Sequence, residues 1–293
     1  MKARPTVQHY VPQFLLRNFA SSPRGKQIFV FDKSSGRSFP ASINAVASKR
    51  AFYDFEVAGS IESVDPLLTK MESVTSTLIA KIVRARNLRG LSHTDKKMVA
   101  LFATVQKLRT DSRRKQLKSL MDNVHDALTR AGMDPNKVDG FEFLDEEQTR
   151  VFSITSLPEL TQELMPRLLD KSWILLGTSM QHPFYISDNP VTLFNQRKHP
   201  VLSTLGLGVS GIEIYLPLSS TLCLGFLCPT IRRPIRVRIF GGTLGLTPAN
   251  VTHHNSLQVY NAERFVFSTS DEFALVREML QNLPDLKRGP RLS

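Results

Sequence analysis

Ile212-Glu213-Ile214-Tyr215-Leu216 and Leu222-Cys223-Leu224-Gly225-Phe226-Leu227-Cys228 decide the fold. Each is a strand-sized apolar run, and Pro217, Ser219 and Ser220 punctuate the link between them. Trp173-Ile174-Leu175-Leu176, Phe184-Tyr185-Ile186 and Val237–Phe240 continue the pattern. A helix near Pro248–Ala262 and a strand near Arg264–Ser268 come next. Residues 170–270 therefore read as a mostly β subregion.

Upstream the period is 3.6, and residues 64–150 read as helical. Asp65-Pro66 opens a helix that runs to Leu88, with Leu67, Leu68, Met71, Val74, Leu78, Ile82 and Val83 as its apolar positions and Arg89-Gly90 as its stop. Ser92-His93-Thr94-Asp95 opens a second helix through a capping box. Nearer the N-terminus, Pro12 suits the first position of a helix from Pro12 to Ala20. Gln27–Asp32, the turn Lys33–Gly36 and a strand near Ser38-Phe39 make a hairpin. The predicted class is α+β: a helical middle region packed on a mostly antiparallel β-sheet, one domain spanning residues 1–293.

Composition narrows the setting. Apolar content of 41% and charged content of 22% are those of a globular protein. No apolar run reaches the ~18 residues of a membrane span, so no membrane partner is expected. Lys2 and Arg4 lack an apolar signal region behind them, which argues against export. Cys223 and Cys228 point to opposite faces of one strand and read as buried thiols of a reducing cytoplasm. The net charge of +12 is typical of proteins that meet polyanions. Between Lys81 and Lys118 lie twelve Lys or Arg against only Asp95 and Asp111; Arg232, Arg233, Arg236 and Arg238 form a second cluster, and Lys287, Arg288 and Arg291 a third. Nucleic acid or another polyanion is the expected partner; a homodimer interface is the other use for such a helix, and a solvated basic face is the plain one.

The candidate chemistry begins at His9-Tyr10-Val11-Pro12-Gln13-Phe14-Leu15-Leu16-Arg17-Asn18-Phe19. His9 lies just before a helix start, where free N–H groups favour anions, and Gln13 and Arg17 share one helical face. This grouping suits phosphate or carboxylate recognition, or proton transfer by His9. The competing reading has His9 and Gln13 capping the helix and Arg17 tied to an acid. Val99, Phe102, Gln106, Arg109 and Arg113 form one helical stripe that turns from apolar to polar. It either displays Gln106 and Arg109 at a core edge or pairs Arg109 with a structural carboxylate such as Glu72. Ser187-Asp188-Asn189-Pro190 ends a strand, where Asp188 either serves a site or makes a turn. Glu213 is a lone acid within an apolar strand and would pair with Asp188 on a metal if both faced the helical layer. His253 and His254 are adjacent on a helix and are not expected to point the same way.

Taken in order, these motifs resemble the domain of unknown function 4238 family, largely bacterial. The opening His9–Phe19 stretch is similar to its signature, Phe52-Tyr53 to an aromatic pair, Gln106-x-x-Arg109 to a helical motif, and Tyr185-Ile186-Ser187-Asp188-Asn189-Pro190 and Tyr215-Leu216-Pro217-Leu218-Ser219 to two strand motifs. The resemblance implies no settled activity. The residues themselves suggest a nuclease or phosphodiesterase of defence or toxicity. His9 and Asp188 would be catalytic, Gln13, Arg17, Gln106, Arg109, Ser187 and Asn189 would hold phosphate, and Asp188 with Glu213 would hold Mg²⁺ or Mn²⁺. The alternative is a non-catalytic nucleic-acid-binding protein. The enzyme requires His9, Gln106, Arg109 and Asp188 to converge on one cleft; the binding protein requires only a continuous basic surface.

Overall fold

Strands that are apolar at nearly every position are strands covered on both faces, and residues 212–219 and 222–227, buried throughout with Glu213 and Ser219 as polar exceptions, meet that expectation at the centre of the molecule. The computed structural model describes residues 7–22, 25–138, 143–197, 205–231 and 242–290. In chain order it contains β1 (Val7–His9), α1 (Gln13–Arg17), β2 (Gln27–Asp32), β3 (Arg37–Ser42), β4 (Ser48–Arg50), β5 (Asp54–Val57), β6 (Ser60–Ser63), α2 (Asp65–Ala85), α3 (His93–Leu108), α4 (Asp111–Arg130), α5 (Glu146–Thr155) and α6 (Leu157–Leu169). Beyond these lie β7 (Ser172–Gly177), β8 (Ile186–Ser187), β9 (Thr192–Asn195), β10 (Ile212–Ser219), β11 (Leu222–Leu227), β12 (Thr243–Gly245), α7 (Pro248–Asn261), β13 (Phe265–Ser268) and α8 (Ala274–Asn282). The class is α+β, as the sequence predicts.

One sheet has the order β12-β7-β11-β10-β9, antiparallel except for the β12–β7 pair. A second, antiparallel, has the order β3-β2-β13-β8. Every residue of β10 and β11 is buried. One continuous apolar core joins α1, α2, α3 and α6 to the first sheet; a smaller one lies where α7 and α8 meet β13. Gly225 sits opposite Tyr215 in the β10–β11 register. A Cβ there would lie 2.9 Å from Ile174 Cγ1 and 3.2 Å from the Tyr215 ring. Gly225→Ala is therefore expected to cost about 1–3 kcal/mol through overpacking, read from the urea unfolding midpoint.

Several boundaries differ from the sequence reading. The first helix is short because Asn18 is captured by the β10–β11 turn: its side-chain amide donates to Leu218 O (2.8 Å) and its carbonyl accepts from Ser220 N (3.1 Å). Helix α2 stops at Ala85, where Arg86 turns left-handed (φ 49°) and its guanidinium reaches Thr221 Oγ1 at 3.0 Å. Its buried face is Leu68, Thr75, Ile79 and Ile82, whereas Leu67 and Val74 are exposed. The expected stripe from Val99 to Arg113 is not one helical face. Arg109 is the C-cap of α3, and Thr110 caps α4 by accepting from Arg113 N at 3.3 Å. The capping box at Ser92 and Asp95 is present. The helical layer continues past residue 150 through α5 and α6. The expected strand at Val237–Phe240 and the arginines at 232, 233, 236, 238 and 291 lie outside the described residues.

Candidate functional site

The signature stretch builds a polar cleft of about 350 Å³ between β1, α1 and the first turns of α2. Its lining includes His9, Gln13, Arg17, Asp65, Thr69 and Glu72. Arg17 Nη2 donates to Gln13 Oε1 at 2.7 Å, and Gln13 Nε2 lies 3.4 Å from His9 Nε2. In the tautomer that leaves Nε2 unprotonated, the Gln13 amide donates to it. Burial holds the His9 imidazole below its ordinary value, against backbone contacts at Asn44 and Ile43 that pull it up. Burial, joined by neighbouring Glu72, raises the Asp65 carboxyl. Helix α1 has no side-chain cap, so the capping role considered for His9 and Gln13 is not what brings them together.

Gln106 and Arg109 lie beneath this cleft rather than in it. Both are buried. Gln106 Nε2 donates to Tyr10 O at 2.8 Å, and its Oε1 accepts from Arg109 Nε (3.0 Å) and Nη2 (2.7 Å). Arg109 Nη1 then reaches Glu72 at 2.6 Å, the structural pairing the sequence left open. The motif thus ties the signature strand's exit to α2. Sequence reading missed Gln8, whose side chain donates to Asp54 (2.7 Å) and accepts from Tyr53 N (2.6 Å).

Asp188 is buried and is not among the residues lining the His9 cleft. Its carboxylate accepts the backbone N–H groups of Glu263, Arg264 and Phe265, each at 2.8 Å. Burial pushes this carboxyl up to about 6 despite those donors. Ser187 Oγ donates to Gln258 at 2.8 Å, Asn189 accepts from Thr110 (3.2 Å) and donates to Asn261 O (3.0 Å), and Asn261 donates back to Asn189 O (2.6 Å). Lys33, fully buried, donates to the C-terminal carbonyls of α7, Val259 O (3.0 Å) and Ala262 O (2.7 Å). The Ser-Asp-Asn motif therefore clasps the α7–β13 turn. Glu213 lies elsewhere, in a chamber beneath α7. Among the described residues, no group of three His, Cys, Asp or Glu is arranged to hold a metal ion. The structure brings His9, Gln13 and Arg17 together, and it does not bring Asp188 or Glu213 to them.

A second cleft, about 310 Å³, opens over the aromatic pair. Lys49, Arg50, Arg114, Lys115, Lys118 and Arg150 line it, with Asp111 and Glu146. The Arg114 guanidinium lies 3.5 Å from the Phe52 ring centroid and donates to Phe52 O at 2.7 Å. Burial pulls Arg114 down to about 10. Beneath it Phe52 packs against Tyr10 and Tyr53. Asp111 is shared by Lys49 (2.6 Å) and Lys115 (3.3 Å), and Lys115 also reaches Glu263 (2.8 Å). Arg50 and Arg114 have no carboxylate within ion-pair distance among the described residues.

Residues 7–272 match the family described as protein of unknown function DUF4238. The chain belongs to that family. No curated protein and no solved structure matches it. Each motif of this DUF4238 chain now has a place. The signature forms the wall of one cleft, and Phe52, packed on Tyr10 and Tyr53, lines the other. The Gln-x-x-Arg motif is a buried brace between the exit of the signature strand and α2, and the Ser-Asp-Asn motif is a buried clasp on the α7–β13 turn. Among the described helices, none is long and apolar enough to cross a membrane. Lys49, Arg50 and Arg150 were missed as site residues because they reach the DUF4238 basic cleft from segments remote in sequence from the charge-rich helices.

Proposed function

We propose that this chain binds nucleic acid along the phosphate backbone, using the basic cleft between β4, α4 and α5. The observation that carries this reading is Arg114, a half-buried guanidinium held by a ring and a carbonyl instead of an acid, inside a cleft lined by six cations. Held by a ring and a carbonyl in an open cleft rather than by a carboxylate, this guanidinium is available to an anion from outside. A guanidinium stacked on an aromatic ring also offers its outer face to an unstacked base. Ala47 (φ 51°) and Ala51 (φ 48°), on either side of β4, are both left-handed, a conformation costing about 1–2 kcal/mol for a non-glycine residue.

Fluorescence anisotropy with labelled single-stranded RNA, single-stranded DNA and duplex DNA tests this. Binding is expected to weaken with salt, the log–log slope being about −2 to −3 for three to four phosphate contacts on a single strand. Replacing Arg50 and Lys118 together by Glu is expected to lower affinity at least about tenfold at 0.1 M salt. Salt-independent binding, or binding unchanged in that variant, would overturn the reading. Cleavage of the probes with Mg²⁺ or Mn²⁺, lost in His9→Ala, would replace it with the hydrolytic one.

A further inference from the structure

Much of the charge in the basic cleft is already answered within the chain. Lys49 and Lys115 share Asp111, Lys118 pairs with Asp122, and Arg150 Nη2 lies 2.5 Å from Glu147. Asp111 and Glu146 stand in the lining itself. Exposed pairs of this kind are weak, so an anion can displace them, but each displaced acid takes back part of what a phosphate gives. A strand held by phosphate contacts alone would gain less here than six cations suggest. What the cleft offers besides charge is flat groups. The Arg114 guanidinium, half-buried and stacked on Phe52, is one of them. One helical turn further on, Lys118 lines the same cleft, and its Nζ lies 4.6 Å from the centroid of the Phe143 ring. Phe143 is half-buried, and its ring stands 4.8 Å from the imidazole of His125, which belongs to α4 as well. Arg114, Lys118 and His125 are four and seven residues apart, so α4 carries all three on one face. Two planar groups therefore follow one another along that face: Arg114 on Phe52 inside the cleft, and the Phe143–His125 pair beside it.

Their spacing selects the form of the ligand. At about 1.5 Å of rise per residue, Arg114 and Lys118 are separated by about 6 Å along the axis of α4. A strand within a duplex advances only about 3.4 Å per base, and its neighbours cover both faces of every base. A base can lie on Arg114 or on Phe143 only with one face uncovered, and successive bases can reach both only when drawn apart. Size selects in the same direction. The cleft, at about 310 Å³, is at the small end of the range of about 300–1,000 Å³ usual for small-molecule sites. It has room for a nucleotide, whereas a double helix would span its mouth without entering. On the reading of this cleft as a nucleic-acid site, on which the following step rests, we infer that its ligand is single-stranded. One unpaired base lies on the Arg114 guanidinium and its neighbour on Phe143, and Arg50 and Lys118 hold the phosphates. Every base has a π-face, so such stacking tolerates any sequence.

Anisotropy titrations of the full chain test this with three labelled probes: an oligothymidylate, an abasic sugar-phosphate strand of the same length, and the oligothymidylate annealed to its complement. The abasic strand keeps every phosphate and loses every base, so it separates stacking from charge. It is expected to bind at least about tenfold more weakly than the intact strand, the loss of two stacked bases. The duplex, despite carrying twice the phosphates, is expected to bind at least about tenfold more weakly too. Arg114→Lys keeps the charge and loses the plane, and Phe143→Ala leaves every charge in place. Each is expected to shrink the gap between intact and abasic strands by about threefold or more. If Arg114→Lys fails to fold, Phe143→Ala decides alone. An abasic strand or a duplex that binds as tightly as the intact strand would overturn the inference while leaving the phosphate reading in place, as would a gap that neither variant changes. If none of the three probes binds, the nucleic-acid reading falls and the inference falls with it.

Discussion

Asp188→Ala is expected to destabilise the chain by about 3–5 kcal/mol, without any ligand present. The substitution leaves three buried N–H groups, those of Glu263, Arg264 and Phe265, without the acceptor they share. Each buried donor left unsatisfied costs about 1–3 kcal/mol, and neighbouring losses do not add fully. Urea unfolding followed by circular dichroism measures it. A drop below about 1 kcal/mol would show that the turn finds other acceptors and would restore Asp188 as a catalytic candidate. The pH dependence supplies a second signature. The folded carboxyl sits at about 6, above the ~3.9 of an unfolded chain. Between those values the folded state holds the proton more tightly, so this group's contribution is full below about pH 4 and is lost as pH rises through 6. Asp188→Asn cannot titrate, and the stability difference between it and the parent is expected to change across pH 4–6 and be flat above about 7.

How much of the fold and the site was legible in the sequence depended on what each residue touches. The β10 and β11 strands were plain because burial on both faces leaves runs that are apolar but for Glu213 and Ser219. The ribbons β1–β4 and β5–β6 were not, since each strand is three or four residues long and partly exposed. The Ser-Asp-Asn motif advertised polar chemistry, yet its partners lie some seventy residues away on α7 and the turn after it. Nothing local separates a clasp from a catalytic carboxylate. The basic run from Lys81 to Lys118 misled in a different way. It crosses three helices that face different directions. Arg109 is buried on Glu72, and Lys107 donates to Val191 O, so neither adds to a surface. Only Arg114, Lys115 and Lys118 reach the basic cleft, where Lys49, Arg50 and Arg150 meet them. Charge density along the chain overstated the basic face and hid where it is.

Arg109→Met is expected to cost about 3–5 kcal/mol, the usual consequence of removing one partner from a buried charged network. The Arg109 side chain is 1% exposed, and it feeds Gln106 through two hydrogen bonds and Glu72 through a third. Once it is removed, Gln106 Oε1 is buried without a donor, and the Gln106 amide that holds Tyr10 O is free to turn. The consequence reaches both clefts, because Tyr10 comes directly after His9 in one and packs on Phe52 in the other. Glu72→Gln alone is expected to cost less, since Glu72 is 23% exposed and water can replace its partner. In a double-mutant cycle the two losses should fall short of additive by at least about 1 kcal/mol, because the pair shares one interaction. Additive losses would mean that Arg109 acts mainly through Gln106. In that case Gln106→Leu with Arg109→Met, which removes both polar partners and replaces them with apolar groups of similar size, should recover part of the stability, while Tyr10 O still loses its donor.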